Sequence, residues 1–189
     1  MKARTLTLLA VVSLALAAAA VAGAHGWNRI EGTQGDDALI GTGGADAIVG
    51  YGGNDNVDAE AGNDRVYAGP GNDLVRGGPG RDMLRGGAGN DELHGQGDND
   101  LLRGRSGDDV AHGGDGDDRM FGGWGADALY GGDGDDRLHA LARDRAVDIL
   151  DCGPGNDRAW VRAGEEVQVV GCEKVYTVSV ATVGGETDD

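Results

Sequence analysis

The sequence has few of the residues that build a conventional hydrophobic core. Of its 189 residues only one is Phe and three are Trp, whereas 38 are Gly. Glycine at this level predicts a repeated or low-complexity architecture rather than ordinary globular packing. Lysine is also nearly missing, since Lys2 and Lys174 are the only two.

Positive charge is scarce. The chain carries 33 acidic residues against 16 basic ones, which gives a formal net charge of −17. Nucleic acids and anionic membrane surfaces are bound through clusters of Lys and Arg. The charge balance therefore argues against both of these partners and favours a cation.

The sequence also lacks the motifs of common catalytic sites. It contains no HExxH motif, no phosphate-binding loop and no recognisable pair of nucleophile and base. Its many carboxylates could suggest a glycosidase, but their regular spacing has another explanation, given below. We expect the protein not to be an enzyme.

The first 24 residues have the layout of a secretory signal peptide. Lys2 and Arg4 precede an apolar run from residue 6 to 22, and small residues at 20–24 fit an A-x-A cleavage pattern. The alternative is an uncleaved membrane anchor, although 17 residues are short for a span. We therefore predict a secreted, extracellular protein that is not inserted in a membrane after cleavage, with residues 25–31 as an N-terminal cap or linker.

Residues 32–139 consist of twelve nine-residue units without insertion or deletion. The sixth position of the unit is aspartate every time, which implies a fixed geometric role for a short carboxylate. The twelve residues are Asp37, Asp46, Asp55, Asp64, Asp73, Asp82, Asp91, Asp100, Asp109, Asp118, Asp127 and Asp136.

Four other positions of the unit follow rules. The eighth is aliphatic or Met in eleven units, with Ala111 as the exception, which suits a short strand with one inward side chain. The fourth is Gly in eleven units and the first in ten, which predicts tight turns at positive φ and close approach of carbonyls to a ligand. The fifth is Asp or Asn in nine units, residue types that tolerate left-handed backbone.

The unit resembles the hemolysin-type (RTX) calcium-binding repeat, whose pattern is G-G-x-G-x-D-x-U-x. The segment Gly86–His94 (GGAGNDELH) shows the lettering well. The resemblance implies an all-β fold, a parallel β-roll or β-helix solenoid in which two units make one coil. It also implies that Ca²⁺ lies between stacked turns, held by aspartates and backbone carbonyls.

Carried over to this chain, the resemblance makes the twelve aspartates calcium ligands. Those 18 residues apart in the sequence would form two edges of six residues each, with five gaps along each edge. The roll would then hold up to about ten ions, if each takes two carboxylates and completes its oxygen ligands with carbonyls. Such proteins often carry an effector domain as well, which we do not expect here.

The roll should depend on calcium. Residues 32–139 contain 22 acidic residues and 8 arginines, a net charge of −14. Stacking the units would line up like charges along each edge, and one inward side chain per unit gives a small core. We therefore predict that the metal-free chain is disordered and that calcium binding drives folding.

The repeat pattern weakens after residue 139. Residues 140–142 read as a three-residue insertion, and Asp148 and Asp157 recur in positions typical of the repeat. Residues 140–183 are predicted to be degenerate repeats and a β cap, and residues 184–189 a disordered tail. Cys152 and Cys172 form the only cysteine pair, which in an exported chain is more often a disulfide than a metal or redox site.

Two functions remain open at this point. The first is a calcium-stabilised structural or interaction module at the cell surface or in the matrix, with an unknown partner there. The alternative is an accessory module of a secreted hydrolase or toxin system whose catalytic chain is separate. His94 and His112 share the ninth position, where a zinc site is conceivable but surface histidines are favoured.

Overall fold

The computed structural model describes residues 26–142 and 144–179, and these form an all-β solenoid. Every strand pairing in it is parallel. No helix occurs in the described part of the chain, and hence none that is long and apolar enough to cross a membrane. The predicted fold class, a parallel β-roll, is confirmed.

Seventeen strands alternate between two sheets. The odd sheet contains β1 (Asn28–Glu31), β3 (Asp46–Val49), β5 (Arg65–Pro70), β7 (Met83–Ala88), β9 (Leu101–Ser106), β11 (Arg119–Trp124), β13 (Arg137–Ala140), β15 (Arg158–Arg162) and β17 (Lys174–Val178). The even sheet contains β2 (Ala38–Thr42), β4 (Asn56–Glu60), β6 (Leu74–Pro79), β8 (Glu92–Gly97), β10 (Val110–Asp115), β12 (Ala128–Asp133), β14 (Asp148–Asp151) and β16 (Val167–Val170).

One coil of the solenoid is two sequence units. Leu84 of β7, for example, is paired with Leu102 of β9, eighteen residues later. Each strand covers positions seven to nine of one unit and, in most coils, the first three positions of the next. The turn is then left to positions four to six, where Gly, Asp and Asn are concentrated.

The core is a single file of eighth-position side chains from each sheet. Because side chains alternate across a strand, the eighth residue points inward while the seventh and ninth point outward. Leu93, Leu102 and Leu129 are fully buried, and Ala111 occupies the same slot with 1% of its surface exposed. Ala111 therefore points into the core like the larger eighth-position residues.

The C-terminal part extends both sheets. The insertion at residues 140–142 lengthens one coil from 18 to 21 residues, so that Leu129 pairs with Leu150. Cys152 and Cys172 form the predicted disulfide, which joins the end of β14 to the loop before β17. The predicted signal peptide and C-terminal tail lie outside the described residues, and the proposed domain limits remain predictions.

Candidate metal centre

The twelve predicted aspartates form two files, one on each side of the roll. Those of the first file, such as Asp55 and Asp109, directly precede strands of the even sheet, and those of the second precede or begin strands of the odd sheet. All are buried except Asp37, which is half-buried. The structure thus brings together, coil on coil, the residues that the sequence separates by eighteen positions.

One carboxylate oxygen of each aspartate is used within the file. The backbone N–H of each aspartate donates to Oδ1 of the aspartate one coil later, over 2.7–3.0 Å. Glutamate could not replace aspartate here without shifting the acceptor by one methylene. The ladder therefore explains why glutamate does not occur at the sixth position.

The second carboxylate oxygen has no partner in most coils. Among the described residues, Oδ2 is buried and without a hydrogen bond in Asp55, Asp64, Asp73, Asp82, Asp91, Asp100, Asp109, Asp118, Asp127, Asp136 and Asp157. A buried anionic oxygen without a donor is costly, so each of these atoms needs a proton or a cation.

The first coil differs from the others. Oδ2 of Asp37 accepts a hydrogen bond from the backbone N–H of Thr33 at 2.5 Å, and Oδ2 of Asp46 accepts one from Thr42 at 2.6 Å. The threonine hydroxyls donate to the same carboxylates. These two aspartates therefore have less need of a cation than the ten that follow.

Burial raises the pKa of the aspartates in the middle of the roll. The pKa of Asp100 and of Asp109 reaches about 8, with neighbouring aspartates adding to the effect of burial. The pKa rises to about 7 or about 6 at six others: Asp82, Asp91, Asp118, Asp127, Asp55 and Asp136. The metal-free site therefore holds protons at pH values where a free carboxyl is ionised.

The first-position glycines leave room for these carboxylates. A Cβ at Gly104 would lie 2.1 Å from Oδ2 of Asp109 in the same unit, and one at Gly95 would lie 2.2 Å from Oδ2 of Asp100. Neither glycine has a positive φ. The expected turn conformation is therefore wrong for this position, where Gly is required by space beside the carboxylate.

The predicted left-handed backbone occurs at the fourth position of most units, and it also occurs at the second. Gly78 (φ 106°) and Gly80 (φ 128°) lie against carbonyl oxygens of the previous coil, so that a Cβ would fall 1.5 Å from the oxygen of Glu60 and 1.6 Å from that of Gly62. The turns thus bring carbonyl oxygens close to the next coil. Carbonyl oxygens are ligands that Ca²⁺ accepts readily.

We expect Gly78→Ala to destabilise the roll much more than Gly97→Ala. At residue 78 a methyl group meets a backbone carbonyl and a positive φ, whereas a Cβ at residue 97 has no atom within 4 Å. The difference should be about 2 kcal/mol or more in the free energy of unfolding. Urea denaturation of both variants with calcium present measures it, and equal stabilities would show that the close approach at residue 78 relaxes without cost.

The fifth position has a different role from the predicted one. No fifth-position residue of the repeats has a positive φ. Instead, Oδ1 of an Asp or Asn accepts a hydrogen bond from the backbone N–H of the fifth residue one coil later, over 2.7–3.1 Å. The preference for Asp and Asn therefore comes from a second ladder of hydrogen bonds, which runs opposite to the first.

Three residues outside the predicted set continue the aspartate files. Oδ1 of Asp148 accepts a hydrogen bond from Asp127 N–H at 2.9 Å, and Oδ1 of Asp157 accepts one from Asp136 N–H at 2.7 Å. Glu173 Oε2 then accepts from the N–H of Asp157 at 2.6 Å. The recurrence of Asp148 and Asp157 after a three-residue insertion is the sequence signal that places them in the files.

The donor set fits a hard cation. No group of three or more His, Cys, Asp or Glu side chains within residues 26–142 and 144–179 could hold a metal ion by itself. An ion at these turns would need backbone carbonyls beside one or two carboxylates, which is an oxygen set that suits Ca²⁺. His94 and His112 stack ring on ring at 4.9 Å, and His94 contacts Glu92, which supports the surface interpretation over a zinc site.

The fold and these turns define a class of protein, the parallel β-roll with carboxylates and glycine turns arranged for calcium. The family model described as the RTX calcium-binding nonapeptide repeat matches the chain in seven overlapping segments, which run together from residue 23 to 138. The chain belongs to this family, and membership implies calcium binding. A comparison with curated proteins gives no match.

Proposed function

We propose that the protein is an extracellular calcium-binding module whose roll folds when calcium is bound. Ten of the twelve repeat aspartates have a buried Oδ2 atom without a hydrogen-bond donor, and this observation carries the proposal. Bound Ca²⁺ would supply positive charge at these turns. The folded chain then serves as a structural or interaction module at the cell surface or in the matrix.

Different positions of the repeat would have different roles at each calcium site. The sixth-position aspartates would hold the ion through Oδ2, while Oδ1 stays in the hydrogen-bond ladder that fixes the carboxylate. The glycines at positions one, two and four give space for the carboxylate and bring the carbonyls near. With one gap between each pair of successive aspartates in a file, the twelve repeats offer up to about ten sites.

The extracellular setting rests on two features. Residues 1–24 have the pattern of a secretory signal peptide, and a disulfide joins Cys152 to Cys172. Calcium is abundant outside cells and scarce in the cytosol. A chain that folds only with calcium can remain unfolded until it is exported.

Equilibrium dialysis of the full chain against calcium tests the proposal directly. We expect several ions per chain, up to about ten, bound at millimolar calcium, because each gap offers a fixed carboxylate and nearby carbonyls. Magnesium should compete poorly, since it demands a tighter and more regular set of ligands. Binding of one ion or none would contradict the proposal.

A further inference from the structure

The outward-facing side chains of the odd sheet are basic, although the protein as a whole is acidic. From β5 to β17 the seventh and ninth positions carry no acidic residue. They carry seven basic residues, which we call the basic face: Arg65, Arg85, Arg103, Arg119, Arg137 and Arg158, together with Lys174. The corresponding positions of the even sheet carry one arginine, Arg76, and three acidic residues.

The charges of the basic face have no partners within the described part of the protein. The ion pairs found there are Arg29–Glu31 and His94–Glu92, and neither includes a residue of the basic face. Arg85 and Arg103 lie directly next to each other in the register of β7 and β9. Like charges on adjacent strands repel each other, so the face gains stability from a bound anion.

The pKa values of neighbouring groups agree with a positive local field. The pKa of His139 is lowered to about 4, first by burial and then by the charges of Arg119 and Arg137. Burial also lowers the pKa of Arg85, with Arg105 and Arg103 as the next causes. The net charge of −17 therefore does not describe this side of the molecule.

Aromatic rings hold the basic side chains in line. Phe121, His139, Trp160 and Tyr176 stack in succession along the ninth position, with ring centroids 4.4, 4.5 and 5.2 Å apart. The guanidinium groups of Arg103 and Arg119 lie 5.5 and 5.0 Å from the centre of the Phe121 ring. Such contacts restrict the arginines, whose charges stay available to an anion.

We propose that the basic face binds a linear acidic polysaccharide, one that carries carboxylate or sulfate groups along its length. The strands repeat at about 4.8 Å, so the basic residues of β5 to β17, which lie at the seventh or the ninth position, form a band of cations about 30 Å long. Arginine pairs with carboxylate and sulfate groups through parallel hydrogen bonds. An extended sugar chain matches both the length of this band and the regular spacing of its strands.

Two other polyanions fit the face less well. Single-stranded nucleic acid is held by bases that stack on free aromatic rings, but the rings of this face already cover one another. A flat anionic membrane would also meet the turns on both sides of the sheet. Exposed acidic residues such as Asp108, Asp117 and Asp135 lie on these turns and would repel it.

The test compares two variants with the same change in net charge. Arg103→Gln, Arg119→Gln and Arg137→Gln together remove charge from the basic face, whereas Arg76→Gln, Arg81→Gln and Arg145→Gln remove it elsewhere. Binding of the full chain to immobilised hyaluronan and dextran sulfate is measured by biolayer interferometry in millimolar calcium, with neutral dextran as the blank. The basic-face variant should bind about tenfold more weakly or worse, and the matched variant should bind nearly like the parent chain.

Several outcomes would overturn this inference. They are the absence of binding by the parent chain, equal losses in the two triple variants, and tighter binding to an oligo(dT) strand or to phosphatidylglycerol vesicles. Circular dichroism in the same buffer shows whether each chain is folded, which separates failure of the proposed calcium function from failure of the basic face. The single variant Arg119→Gln, at an exposed position, replaces the triple variant if that one does not fold.

Discussion

Without calcium, the chain is expected to lose β-structure as the pH rises from about 5 to about 8, and calcium is expected to restore it at the higher pH. Burial raises the pKa of Asp100 and Asp109 to about 8 in the folded chain. In the unfolded chain an aspartate titrates near 3.9. Between these values the unfolded chain binds fewer protons than the folded one, so the free energy of unfolding decreases as the pH rises.

Far-UV circular dichroism of the full chain measures this effect. One titration runs over pH with a chelator present, and a second adds calcium or magnesium at about pH 8. Because protons and calcium satisfy the same buried carboxylates, the calcium-saturated chain should keep its spectrum over the whole range. A metal-free spectrum that does not change with pH would contradict the argument, as would recovery with magnesium equal to that with calcium.

The variant Asp109→Asn should have opposite effects with and without calcium. Asn retains the Oδ1 atom that accepts the hydrogen bond from Asp91 N–H, 2.9 Å away. It removes a carboxylate that is 1% exposed and whose Oδ2 atom has no donor. Near pH 8 without calcium the variant should therefore be more folded than the parent chain, since a buried charge is gone.

With calcium the same variant should be less stable by roughly 3–5 kcal/mol, the cost of breaking a buried contact between charges. Urea denaturation in saturating calcium measures the loss, and equilibrium dialysis should show fewer ions per chain. Asp108→Asn is the matched control, because residue 108 is exposed and Asn keeps the Oδ1 atom that accepts the hydrogen bond from Ala126 N–H. Asn72 and Asn90 already fill the same role in earlier coils.

The control should behave like the parent chain in both conditions. If Asp109→Asn lowered stability to the same extent with and without calcium, the carboxylate would have a structural role and no role in holding the ion. If it had no effect in calcium, the ion would lie elsewhere in the turns.

The regular part of the site could be predicted because equivalent positions of the repeat stack on one another in successive coils. A period of nine residues with one invariant carboxylate and one inward side chain predicts short parallel strands, buried eighth positions and aspartates stacked at the edges. Even the extension to Asp148 and Asp157 follows from the same period once three residues are inserted. The cysteine pair predicted the disulfide between Cys152 and Cys172.

The roles of the first and fifth positions of the repeat could not be predicted from the sequence in this way. The fifth-position Asp and Asn residues accept hydrogen bonds from the next coil, and first-position glycines such as Gly104 make space for a carboxylate. Local propensity suggested left-handed turns for both. The decisive contacts join residues 18 apart or lie across a turn, so that only the stacked coils reveal them.

The sequence by itself therefore determined the period, the inward file of the core, the positions of the carboxylates and the family of the protein. The tertiary structure alone decided which carboxylate oxygens lack a donor and which charges share a surface. The physical reason is that successive units alternate between two sheets. The seventh and ninth residues of every second unit therefore lie on the same face. Arginines that are scattered through a strongly acidic sequence thereby lie together on one side of the roll, where they form a positively charged surface.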